Sequence, residues 1–127
     1  MNAQARKWHV YYVENCRHAR PEPKSKFVVV VCIDEHPMGF LINSNINRWI
    51  QKDEARLASQ ARLTGLEHRF LDRDSWVDCI DLYSFADDEL ANERGKVSRN
   101  GIAAIRKTVS NSKTIVTRHK ELILGKR

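Results

Sequence analysis

Two apolar, β-prone runs stand three residues apart: KFVVVVCID at 26–34 and MGFLINSN at 38–45, separated by Glu35-His36-Pro37. Such runs on either side of a tight turn predict a β-hairpin, with Pro37 and Gly39 flanking the turn. The first run is continuously β-branched, as in a strand buried on both faces. A third run, FLDRDSWVDC at 70–79, can join the pair in an antiparallel sheet while carrying charge where a surface would be. Together the three runs predict a small antiparallel barrel with a polar edge.

The remaining segments add helices, mostly late in the chain. WHVYYV at 8–13 is β-prone and aromatic. Residues 15–25 contain Pro21 and Pro23 and read as a polar, basic loop. Asn43, Ser44, Asn45 and Asn47 are candidate N-caps for a helix over about 46–63, in which Ile46, Trp49, Ile50, Leu57 and Ala61 share a face and Gly65 is the stop. Strand character returns at 66–71 and 75–83. In the second of these neither face is cleanly apolar, which predicts a bulge or an early end. Residues 84–95 read as a loop with one helical turn at 87–92. Ser98 caps a helix over 98–110, and a final helix over 114–124 ends at Gly125. The length of 127 residues is read as a single domain, 1–127, large enough to bury a core.

Charge is unevenly spread. Residues 1–26 carry six basic and two acidic side chains, residues 27–95 seven and thirteen, and residues 96–127 nine and one, for a net charge of +6. Basic ends around an acidic middle point to a polyanion or an acidic protein as partner. Apolar residues make up 42% and charged residues 30%, and no apolar run approaches the ~20 residues of a membrane span, so no membrane partner is expected. The opening MNAQARKWHVYYV lacks an apolar signal region, and the expected location is cytoplasmic. Cys32 and Cys79 lie in apolar strands, Cys16 makes the count odd, and there is no CxxC spacing. His9, His18, His36 and His119 have no ligand spacing either, so neither a metal site nor any other cofactor is expected.

In order and spacing of elements the chain resembles the MazF/PemK-like toxins of type II toxin–antitoxin systems. WHVYYV stands where that family has its first strand, and ARPEPKSKFVVVV at 19–31 matches a basic residue followed by a strand. FLDRDSWVDC followed by DLYSF at 81–85 resembles the family's RDS-plus-strand segment. GKVSRNGIAAIRKTVSNS at 95–112 matches G-x-[VLI]-S leading into a helix. The resemblance spans residues 8–124 and rests on order rather than on one specific motif. It implies an α+β fold with an SH3-like barrel of the MazF/PemK/CcdB kind and added helices. It also implies a homodimer that inhibits translation by cutting single-stranded RNA without a metal, held in check by an acidic antitoxin.

The chain departs from the family at several points. The Gly-Asp-Ile start is absent, and the 46–63 insertion is of the longer, PemK-like kind. Lys26, or else Arg20, stands for the arginine that opens the second strand. Asn43 or Ser44 stands for the partner threonine.

RNA cleavage by its own 2′-hydroxyl needs a base, an acid and donors for the charged phosphorane, and no metal. The catalytic candidates are Lys26, Arg20, Ser44 and Asn43; the substrate-binding candidates are Arg17, His18, Lys24, His68, Arg73 and Ser75. Each has an ordinary structural use as well. Lys26 fits a solvated strand end, Asn43 and Ser44 fit helix caps, His68 a surface strand, and Asp72-Arg73-Asp74-Ser75 a turn with local ion pairs. Trp8, Trp49 and Trp76 fit a core or a dimer interface, and an exposed one would stack a base. Two other functions suit the same barrel. One is non-catalytic binding of nucleic acid or protein; the other is action on a protein target such as a topoisomerase through Ile123 and Leu124 of the last helix.

Overall fold

The structure, a computed structural model, describes residues 5–125; the outermost residues of the expected 1–127 domain, and the first four of the leader reading, lie outside the described residues. Seven strands form one antiparallel sheet that curls into a half-barrel. They are β1 (His9–Cys16), β2 (Lys24–Asp34), β3 (His36–Asn43), β4 (Gln60–Leu63), β5 (Ser75–Asp78), β6 (Tyr83–Ser84) and β7 (Glu93–Lys96). Their order is β4-β5-β3-β2-β1-β7, with β6 on the same side of β3 as β5. The helices are α1 (Arg48–Gln51), α2 (Glu54–Ala58), α3 (Arg99–Ser110) and α4 (Thr117–Leu124), with a 3-10 turn at Asp87–Leu90.

The valine run is buried on both faces, as its pattern predicts. Val29 and Val31 join Val10, Phe40 and Ile42 beneath Ile105 and Val109 of α3 and Ile123 of α4. Val28 and Val30 join Tyr11, Val13 and Leu41 on the other face, beneath Phe85 and Leu90. Each such side chain taken out of water contributes about 1.5–3 kcal/mol, so the hairpin is gripped from both sides. Register shifts curl the sheet: β1 slips between Val13 and Cys16 against β2, and β2 slips between Val30 and Cys32 against β3. Gly39 makes the curl possible, since a Cβ there would lie 2.5 Å from the Val29 carbonyl oxygen.

The two late helices match their expected spans. Ser98 caps α3 by accepting a hydrogen bond from Gly101 N, and Gly125 closes α4 in the left-handed conformation. Ile123 and Leu124 are buried, so the last helix does not offer them to a protein target. The early end expected in 75–83 is also present. β5 stops at Asp78, and the chain rejoins β3 only at Tyr83, three residues along β3 from the Ile42–Val77 pair.

Four expectations are corrected. First, the helix over 46–63 is two short helices and a strand. Asn47 caps α1 and Asp53 caps α2, so a second cap falls where a helix interior was expected. Gln60–Leu63 then alternates with period two, burying Ala61 and Leu63 while pairing with β5. Second, residues 66–71 form turns rather than a strand, because Asp74 draws the chain back by accepting from Gly65 N at 2.8 Å and from Arg62. Third, residues 84–95 are not all loop, since β7 pairs with β1 and extends the sheet. Fourth, the hairpin turn is tighter than Glu35-His36-Pro37. Asp34 pairs with His36 around Glu35, whose φ is 65°. Arg118 and His119 of α4 fasten this turn by hydrogen-bonding to the Asp34 carboxylate at 2.9 to 3.1 Å.

A short barrel with apolar edges would need a second copy to cover them, which is a ground for a dimer apart from the resemblance. Both edges, β4 and β7, are four residues long and carry exposed Arg62, Glu93, Arg94 and Lys96. Short charged edges already resist pairing, so that ground falls away.

Candidate functional site

Lys26 lies at the centre of the surface that the sequence singled out. β2 and β3 run antiparallel with Phe27 opposite Ile42, which brings Lys26 beside Asn43 at the open end of the pair. The Lys26 ammonium donates to the Asn43 side-chain oxygen. Burial of the ammonium, helped by repulsion from Lys24, lowers the Lys26 pKa below the usual lysine value; the nearby Asp78 carboxylate works against this. Two depressions meet here, of about 340 and 400 Å³, and both are lined by Lys26, Ser44 and Asn45. The larger adds His18, Arg20, Lys24, Asn43, Trp49, Arg56, Asp78, Asp81 and Tyr83. The smaller adds Tyr12, Phe27, Asp72, Arg73 and Ser75.

The fold therefore brings most of the candidates together and gives them different tasks. The 15–25 loop starts at the β1 bulge, where Asn15 has φ 48°. It is pinned rather than loose. Arg17 pairs with Glu89 at 3.2 Å and donates to the Ser84 carbonyl. His18 contacts the same carbonyl at 3.0 Å and stacks on Tyr83 with centroids 4.3 Å apart, while Ala19 is buried. Arg17 is spent on this anchoring. Arg20 remains exposed with only long contacts to the His18 and Ala19 carbonyls, so its guanidinium fork is open to a phosphate. Lys24 and Ser44 are exposed on the same cleft.

Four candidates are placed differently from expectation. His68 is 1% exposed. Its Nδ1 lies 2.7 Å from the Thr64 carbonyl oxygen and its Nε2 accepts from Ser98 N at 3.0 Å. It is a buried core residue and not a substrate-binding one; the turns at 64–71 fold it inward. Ser75 reaches the smaller depression but is 3% exposed and donates to the Arg73 carbonyl. Asn43 and Ser44 are not helix caps, a role Asn47 takes.

The sequence places Asn45 at this cleft with Asn43 and Ser44, but does not mark Asp78, Asp81, Tyr83 and Arg56 as cleft residues. The signal for the first three was present, since neither face of 75–83 is apolar and the chain there bulges off β3. The bulge is anchored by Cys79 N donating to the Ser59 carbonyl at 2.9 Å and by the Thr114 hydroxyl donating to the Ile80 carbonyl at 2.7 Å. The cleft thus holds cations for a phosphate, donors for an oxyanion, and an imidazole and carboxylates able to move a proton. Among the described residues, no three His, Cys, Asp or Glu side chains come together as a metal-ligating group.

No family model and no curated protein sequence matches the chain. Among solved structures it is similar to Mycobacterium tuberculosis toxin MazF-mt6, with a TM-score of 0.58 and 12% identity, covering 81% of this chain and 93% of that one. At that identity the likeness shows the fold: the chain adopts the α+β, MazF-like fold that the order of its elements implies, with the expected barrel present as a curled half-barrel sheet. Among the described residues no helix is long and apolar enough to cross a membrane.

Proposed function

We propose that this protein is the toxin of a toxin–antitoxin pair and cuts single-stranded RNA without a metal, in the cleft centred on Lys26. The observation that carries the reading is the meeting of Lys26, Asn43, Ser44 and Arg20 at one end of a MazF-like barrel. In the proposed reaction the 2′-oxygen bonds to the adjacent phosphorus as the bond to the 5′-oxygen breaks. The 2′-hydroxyl proton passes to a base, and the 5′-oxygen gains a proton. The products are a 2′,3′-cyclic phosphate and a 5′-hydroxyl. Lys26 faces the phosphorane charge, Arg20 clamps a phosphate with its fork, and Ser44 and Asn43 complete the donors. Asp78 and His18 are the proton-transfer groups of the same depression. Lys24 and Arg73 extend the cationic path on either side of Lys26, so affinity falls with added salt. An acidic antitoxin segment competes for this path. The homodimer and the cytoplasmic location are part of the same proposal.

The test is incubation with a long RNA in excess EDTA, followed by mapping of cut sites and end groups. Discrete cuts with cyclic phosphate and 5′-hydroxyl ends are expected. Cleavage that EDTA abolishes, or 5′-phosphate ends, contradicts the mechanism. If Lys26→Ala, Arg20→Ala and Ser44→Ala all cut at the wild-type rate, the site is wrong. Binding of RNA without any cleavage transfers the reading to a non-catalytic barrel.

A further inference from the structure

Trp49 is 80% exposed, although Trp8 and Trp76 are both packed into the protein at least in part. It projects from α1 on the rim of the larger depression. Its backbone is held firmly beneath it. The Asn47 side chain accepts from Ile50 N at 2.9 Å, Gln51 Nε2 donates to the Ile46 carbonyl at 2.9 Å, and Ile50 is buried. A large flat apolar surface is therefore presented to water from a fixed point, next to the cations of the cleft. An isolated exposed apolar side chain is ordinary on a protein surface. One on the rim of a phosphate-binding depression offers what an unpaired nucleotide brings together, a π-face beside a negative charge.

We propose that Trp49 is a base-stacking platform for single-stranded RNA, seating the base of a nucleotide whose neighbouring phosphates reach Arg20 and Lys24. An acidic protein segment meets the same four cations, Arg20, Lys24, Lys26 and Arg56, but is repelled by the carboxylates of Asp78 and Asp81 that lie among them. A base accommodates the Asp81 carboxylate because its amino and imino N–H groups donate to it, so Asp81 sits on the edge-reading side of the site while Asp78 stays with the reacting groups. Because α1 is structured in the free protein, stacking requires no ordering of the chain, and the indole has only two side-chain torsions to fix. This assignment rests on the reading of the cleft as an RNA site and adds to it a subsite outside the reacting groups.

The experiment uses an RNA of about ten nucleotides, in the size range of single-strand binding sites, with every ribose 2′-O-methylated so that it binds without being cut. Affinity is measured by anisotropy for wild type, Trp49→Ala, Trp49→Phe and Lys26→Ala. The same is done with copies of the RNA made abasic at one position at a time. Trp49→Ala is expected to weaken binding about 5- to 150-fold, the range for loss of one stacked base. Trp49→Phe recovers most of that loss, and the effect of Trp49→Ala vanishes at one abasic position, which marks the seated base. Melting temperatures of both Trp49 variants match wild type, because the side chain is already in water. Equal affinity of wild type and Trp49→Ala overturns the platform while leaving the cleft's function in place, as does a loss that persists at every abasic position. A Trp49→Ala variant that binds RNA normally but no longer binds an acidic protein partner also overturns it. Failure of wild type itself to bind any RNA overturns the underlying reading, and the platform with it.

Discussion

Beneath α3, His68 is buried with both ring nitrogens matched, one to Thr64 and one to Ser98. Gly101 lets the helix close over it, since a Cβ there would lie 2.6 Å from Val97 and 2.8 Å from Leu63. In the cleft, Lys26 is half-buried with Asn43 as its hydrogen-bond partner, in a depression shared with two carboxylates and three more cations. His68 lies in the turns that follow β4, and Lys26 lies within β2. One is fully satisfied inside a tight layer, and the other is held with its charge disfavoured and its surroundings open. A polar group in the first setting stabilises the fold; one in the second is set up to act on something else.

Substitutions can break this contrast from either side. The largest effect on stability belongs to the helix layer. Ile105→Ala removes a fully buried side chain at the centre of α3. Chemical denaturation should show a loss of about 2–5 kcal/mol, with the rate per folded molecule unchanged. Next comes His68→Ala. It leaves Ser98 N and the Thr64 carbonyl without their partners, at a cost of about 1–3 kcal/mol for an unsatisfied buried group, and again the rate per folded molecule holds. A large loss of cleavage by folded His68→Ala would return His68 to the site and erase the contrast.

The smallest effect concerns the fastening of the β2–β3 turn, on the side of α4. Hydrogen bonds from Arg118 and then His119 hold the Asp34 carboxyl at about 2, below its ordinary 3.8. Its folded pKa lies below its unfolded one, so the stabilisation is fully present above 3.8 and fades as pH falls towards 2. Asp34→Asn should be less stable than wild type at neutral pH, and the two denaturation curves should converge across that acid window. A difference that is the same at every pH would mean the carboxylate charge is not what fastens the turn.

The hairpin, both late helices and the early stop of the 75–83 strand were legible because each is a local rule. They rest, respectively, on a β-branched run buried on both faces, a serine cap with a 3.6-residue period, and a segment with no apolar face. The break at 46–63 was missed because its apolar positions fit a helix, while the pairing of Gln60–Leu63 with β5 depends on a strand that lies twelve residues further on. β7 was missed because Glu93–Lys96 has no apolar residue to mark it; its place comes from bonding to β1. In the site, Lys26, Asn43, Ser44 and Arg20 were legible from strand ends and the basic loop. Trp49 was legible only as one of three tryptophans that would stack a base if exposed, and Asp78 and Asp81 were not legible, because their place on the depression is a product of the bulge off β3. His68 looked like a surface residue because nothing in its neighbourhood of Glu67 and Arg69 marks it as the one side chain folded inward.

The single-turnover cleavage rate of Lys26→Met, set beside its stability, tests the central claim most directly. Burial lowers the Lys26 pKa, so the protonated side chain costs the fold stability at neutral pH, and that cost is relieved only as pH rises through the lowered value towards 10.5. Methionine keeps the length of the side chain without the charge. The account predicts a melting temperature at or above wild type together with a rate lower by about 10²–10³-fold, the usual consequence of removing one transition-state donor. A variant that melts well below wild type and cuts RNA at the wild-type rate would make Lys26 a structural residue and contradict the account.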